Sequence, residues 1–156
     1  MVKRIIRLIL LILGLLSLLG ATLFVALRWG GIPAEIPTSY NGAGQPDAYS
    51  GKAALWGMLA LGWLMFALSA AVSRFPALLR KKGGFVRVNA LRIGGRTIEP
   101  SWLSLDLMST ELALLFAYLS VCSALCRPLG AWFMPVVFGA LLLSFVIPTL
   151  VGEVFR

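Results

Sequence analysis

Two acids interrupt an otherwise apolar stretch: Asp106 and Glu111, in the run WLSLDLMSTELALLFAYLSVC that starts at Trp102. Charge inside a membrane span costs about 2.5–3.5 kcal/mol at mid-depth, so such groups are paired or turned toward a cavity. Arg7 lies at a matching depth in the first apolar stretch, and an ion pair from Arg7 to Asp106 or Glu111 is the favoured expectation. At about 100° per residue the two acids point about 140° apart around a helix and cannot both face one partner squarely. Proton or cation handling by Glu111 is the alternative chemistry. Cys122 and Cys126, spaced four apart, read as packing residues on one helix face. The chain has no histidine. A serine or cysteine nucleophile therefore lacks its ordinary base, and no metal cluster or cofactor site is suggested. No catalysis is expected.

A second group of residues suits recognition. Between two long apolar stretches lies IPTSYNGAGQPDAYSGK, residues 36–52. Pro33 and Pro37 fix an extended entry, Asn41-Gly42 and Gly44 offer positions where positive φ is cheap, and Pro46-Asp47 starts another turn. The composition predicts a bent, held segment. Tyr40 and Tyr49 would rest at a membrane interface with wet hydroxyls, and Lys52 would snorkel at the start of the next span.

The elements that position these groups follow from composition. Hydrophobic residues make up 60% and charged residues 13% of the 156, and the mean hydropathy is +0.93. Soluble domains carry about 25% charged residues, so this is an integral membrane protein. The expected fold class is all-α, a four-helix transmembrane bundle with a structured outer loop and a basic cytoplasmic loop. The first span, about Ile5 to Leu27, holds ten leucines from Leu8 onward; it is too long for a signal core of about 7–15 residues and reads as an uncleaved anchor. The second covers Ala53 to Ser73 and the fourth Pro128 to Gly152, both uncharged throughout. The third, Trp102 to Cys126, is interrupted by the two acids, and a hairpin dipping from one side is its alternative. Three segments are expected: 1–73 with two spans, 74–101 as a basic connection, and 102–156 as a second helix pair.

Gly14, Ser17 and Ala21 form a small-residue stripe on the first span, and Ala53 with Gly57 a small pair on the second; such faces suit close helix contact. Pro135 and Pro148 are candidates for kinks in the fourth span.

Arg74, Arg80, Lys81, Lys82, Arg87, Arg92 and Arg96 stand against Glu99 in the basic connection, and Lys3, Arg4 and Arg7 precede the first span. Cationic flanks stay cytoplasmic, which predicts both termini inside and the 28–52 connection outside. Attraction to anionic headgroups, about 1 kcal/mol per cation, accounts for this charge without nucleic acid. Within the connection, GGFVRVNALRIGGRTIEP has the β-branched residues and glycine pairs of a short strand pair.

The order Ile36-Pro37-x-x-Tyr40-Asn41-x-x-Gly44-x-Pro46-Asp47-x-Tyr49-x-Gly51-Lys52, set between two apolar spans, resembles the signature of a bacterial membrane domain, the domain of unknown function 1648, which forms the N-terminal part of SdpI-type immunity proteins. The resemblance covers about residues 8–73. Where that family commonly carries histidine before the aromatic residue, this chain has Ser39. The family's immunity proteins protect cells from a secreted toxic peptide. The resemblance thus implies a small multispanning protein of the bacterial inner (cytoplasmic) membrane, with Pro37, Tyr40, Asn41, Gly44, Asp47 and Lys52 as the outer binding motif.

The expected function is recognition or immunity without catalysis. A structural or accessory subunit of a larger membrane complex is the alternative, followed by a minimal transporter using Glu111 and Asp106. The partners implied are the lipid bilayer with anionic headgroups at the basic loop, an extracytoplasmic peptide at the outer loop, and other membrane subunits or further copies of the chain. Nucleic acid is not among them.

Overall fold

The computed structural model describes the backbone of residues 2–74, 91–93, 96–98 and 102–154, and the side chains of 4–72, 103–146 and 148. The cations Arg80, Lys81, Lys82 and Arg87 of the basic connection lie outside these described residues, as does Glu99.

Leucine-rich sequence without a breaker gives the longest helix, α1, Val2–Arg28. Its 27 residues span about 40 Å at 1.5 Å per residue, more than the roughly 30 Å of a hydrocarbon core. A single 3-10 turn, Trp29–Gly31, ends it. Two strands follow, β1 (Glu35–Tyr40) and β2 (Pro46–Gly51), then helix α2 (Ala54–Arg74). The basic connection contains a second strand pair, β3 (Leu91–Ile93) and β4 (Arg96–Ile98), in the stretch whose glycine pairs predicted one. Helices α3 (Trp102–Ala124) and α4 (Phe133–Val154) complete the chain.

Three helical stretches are long and apolar enough to cross a membrane: Arg4–Gly31, Ala54–Val72 and Leu103–Ala124. The third holds both Asp106 and Glu111 and runs as one continuous helix. In α4 the apolar stretch with described side chains is Phe133–Val146. The two antiparallel hairpins add β structure to a mainly helical chain that the composition alone reads as all-α.

The core sits around α3. Helices α1 and α2 each pack along α3 more extensively than against each other. Near the hairpin, Ala21 and Val25 of α1 and Leu55 and Leu59 of α2 meet Ala117 and Ala124 of α3 with Ile32 and Ile36 of the connection. Farther along, Leu18, Phe66 and Ala113 make a second cluster. Small side chains on α3 let its neighbours come close, the usual device where lipid is as apolar as the core. Helix α4 packs on α3, with Phe133 and Leu129 against Cys122.

Glycines mark two close approaches, one of α1 to α2 and one of α2 to α3. A Cβ on Gly14 would lie 2.5 Å from the Phe66 ring, and one on Gly62 would lie 2.7 Å from Phe116 Cβ. The Gly14 and Ala21 part of the expected stripe thus faces a neighbour within the chain. Gly57 does not: nothing lies within 4 Å of its missing side chain, so the Ala53–Gly57 pair makes no helix contact among the described residues. Pro135 falls in the first turn of α4, where its missing N–H breaks no helical bond, and does not kink it. Pro148 lies inside the helix. Cys122 and Cys126 do not share a helix face, because α3 ends at Ala124 and Cys126 has left-handed backbone, φ 49°.

Candidate functional site

The β1–β2 hairpin is built by its own turn chemistry. Ile36 pairs with Ser50 and Pro37 with Tyr49, after which the register shifts and leaves Thr38 as a bulge. A bulge there is expected, since Pro37 has no N–H to continue a ladder. At the tip, Asn41 Oδ1 accepts from the backbone N–H groups of Ala43 and Gln45, both at 3.0 Å. The Asn41 carbonyl accepts from Gly44 N–H at 2.8 Å, and Asn41 N–H donates to the Gln45 carbonyl at 2.9 Å. Gly44 takes φ 74°, a conformation that side chains disfavour.

Other residues fasten the hairpin to the helices. The Gly44 carbonyl accepts from Leu129 N–H at 2.8 Å, joining the tip to the α3–α4 connection. Ile36 is fully buried in the core and Pro37 is buried beside it. The Tyr40 hydroxyl lies 3.1 Å from Ser123 Oγ. Burial pushes the Tyr40 phenol above its ordinary value of 10, with the Ser123 hydrogen bond opposing that rise. Lys52 Nζ donates to the Trp29 carbonyl at 3.4 Å and stands 5.0 Å from the centre of the Trp29 ring.

The six motif residues therefore divide. Pro37, Tyr40, Gly44 and Lys52 turn toward the rest of the protein, and Asn41 closes the tip. Tyr40 does not lie with a free wet hydroxyl; its partner is Ser123. Asp47 stands on β2, which is exposed from Asp47 to Gly51 and carries Tyr49, 59% accessible, beside it.

Inside the helices the polar groups pair across elements. Arg7 Nε donates to Asp106 Oδ2 at 2.8 Å, and Asp106 is buried. Glu111 takes a different side of α3, where its Oε1 accepts the hydroxyl of Ser144 from α4. Hydroxyl residues that the acids overshadow complete the lattice. Thr110 Oγ1 reaches both the Asp106 carbonyl at 2.8 Å and the Leu10 carbonyl of α1 at 3.1 Å. Trp63 Nε1 of α2 donates to Thr22 Oγ1 of α1 at 3.1 Å. Ser104, Ser109, Thr110, Ser120 and Ser123 are all buried on α3. That density of hydroxyls in one apolar helix is the signal that marks it as the inner helix. Among the described residues no group of three or more potential metal ligands comes together.

The matched family lies in this region. The chain carries a DUF1648 domain, a domain of unknown function, at residues 16–63. Neither a curated protein nor a solved structure matches the chain. The DUF1648 segment comprises the hairpin, the adjoining half of α1 and the adjoining half of α2. It is shorter than the 8–73 stretch that the motif resemblance suggests. Two of the anchors of the DUF1648 hairpin, Ser123 and Leu129, lie outside the segment itself.

Proposed function

We propose that this chain is a four-crossing protein of a bacterial cytoplasmic membrane that recognises an extracytoplasmic peptide through its outer hairpin, in the manner of SdpI-type immunity proteins and without catalysis. In this reading both termini and the basic connection face the cytoplasm, because cationic flanks are retained there. The supporting observation is the division of the hairpin: β1 is fastened to the helices while β2 presents Asp47, Tyr49 and an open strand edge. Extended peptides add to such edges through main-chain hydrogen bonds, with side chains supplying selectivity.

A toxin-sensitive strain expressing the chain, challenged with candidate secreted peptides, tests the proposal. Protection should appear with the native chain and disappear with the double substitution Asp47→Lys and Tyr49→Ala at unchanged membrane abundance. Equal protection by that variant would remove β2 from the reading. Labelling of an Ala48→Cys thiol from outside the cell tests the orientation separately.

A second reading, an accessory subunit of a membrane complex, draws on Gly20 and Gly57. Both leave open space where a side chain would sit, and bare small residues suit a helix from another chain.

A further inference from the structure

Among the described residues, Glu111 Oε2 is a buried carboxyl oxygen without a hydrogen-bond partner. Leaving such an atom unsatisfied is costly, and more so for a group able to carry charge. Its neighbour Oε1 is served by Ser144. Arg7 is engaged with Asp106, whose position on α3 is about 140° around the helix from that of Glu111.

Glu111 also forms part of the wall of a groove between α3 and α4, with a volume of about 330 Å³. The remaining wall is apolar, with Leu115, Val136 and Ala140 along its length and the rings of Tyr118, Trp132 and Phe133 at the end next to the α3–α4 connection. These rings form a cluster, with Tyr118 centred 5.2 Å from Phe133 and 6.3 Å from Trp132. Glu111 lines the groove while its Oε2 is buried, and a turn about the soft terminal torsion of glutamate is what would bring that oxygen to a bound donor.

The chemistry of this site selects among occupants. Water needs two to four polar partners, and the groove wall is almost wholly apolar. A lipid chain matches the walls but brings no donor. An organic ammonium on an apolar body satisfies all three features: its N–H groups meet the carboxyl, its charge is complementary, and its hydrocarbon lies on aliphatic and aromatic walls. The volume falls in the range of small-molecule sites.

We infer that the α3–α4 groove binds lipophilic primary amines, with Glu111 as the counter-ion and the Tyr118–Trp132–Phe133 cluster as the apolar seat. The assignment does not depend on peptide recognition at the hairpin.

Titration calorimetry of the full chain in phosphatidylcholine nanodiscs, with decylammonium as probe and decanol as its uncharged counterpart, tests the site. Decylammonium should show one saturable site per chain, and decanol none. Glu111→Gln should weaken binding at least tenfold. Ala140→Phe, which fills the groove and leaves the carboxyl in place, should abolish saturable binding and keeps the test decisive if the glutamine variant does not fold. Unchanged affinity in Glu111→Gln, equal binding of decanol, or uptake no greater than that of empty discs would each overturn the assignment. So would crosslinking of two chains through Val136→Cys without amine, which would give the groove to a second copy.

Discussion

The backbones of Gly44 and Gly130 are in contact: a Cβ on Gly44 would lie 2.5 Å from the Gly130 carbonyl oxygen. The tip of the β1–β2 hairpin and the connection between α3 and α4 meet without side chains between them. The hydrogen bond from Leu129 N–H to the Gly44 carbonyl runs beside this contact. Position 44 therefore requires glycine twice, for its φ of 74° and for the space it leaves.

Gly44→Ala should destabilise the protein by about 1–3 kcal/mol, through left-handed strain and displacement of the 129–130 backbone. Gly42→Ala is the control, because nothing lies within 4 Å of that site; it should stay within about 0.5 kcal/mol of the native chain. Thermal unfolding in detergent, followed by circular dichroism, separates the two.

Arg7→Leu leaves the buried Asp106 without its guanidinium partner. The expected loss is about 1–3 kcal/mol, the cost of stranding one partner, moderated because the Arg7 side chain is 29% accessible. The double variant Arg7→Leu with Asp106→Leu should recover much of that loss, since an apolar pair avoids the stranded charge. Denaturant unfolding of the four proteins gives the coupling directly. Additive effects of the two substitutions would mean that the pair does not act as a unit.

Tyr40→Phe removes the contact with Ser123 and should cost about 0.5–1.5 kcal/mol. The same residue predicts a pH dependence. Its folded-state pKa is raised above 10, so the folded chain holds the phenol proton more firmly than the unfolded chain does. The resulting stability is present below pH 10 and declines as pH rises through the folded value. Ultraviolet titration of tyrosinate, native minus Tyr40→Phe, should show one phenol ionising above its ordinary range. A difference curve centred at or below 10 would contradict the burial of Tyr40.

Trp63→Phe deletes the bond to Thr22 while keeping most of the ring. A loss near 0.6 kcal/mol is expected, the average for hydrogen bonds between membrane helices. Thr22→Val should give a similar loss, and the double variant should not be additive.

Much of this architecture is legible in the residues. Leucine runs define α1 and α2, the Asn-Gly-x-Gly spacing foreshadows a closed tip, and the paired glycines around Leu91–Ile93 foreshadow a strand pair. The central place of α3 is not legible from hydropathy, for a physical reason. In water an inward face is apolar and an outward face polar, but in hydrocarbon both are apolar, so Leu114 facing outward and Ala113 facing inward carry the same signal. The direction of each acid is equally hidden. Angular spacing separates Asp106 from Glu111, yet Arg7 and Ser144 as their partners depend on which helices flank α3. The motif positions show the same limit. Lys52 reads as a snorkelling cation, whereas its reach to the Trp29 carbonyl exists only once the hairpin has closed.

The place of α3 between the two earlier helices bears on biogenesis. As the ribosome delivers the chain, α1 and α2 enter the bilayer first with a vacant slot between them, bordered by Ala21, Leu55 and Leu59. The slot fills only when a segment made some thirty residues later arrives bearing Ala113 and Ala117. Until then Arg7 has no Asp106 and the hairpin lacks both Ser123 and Leu129. The half-made protein is thus an unfinished cradle, complete only when the keystone is seated.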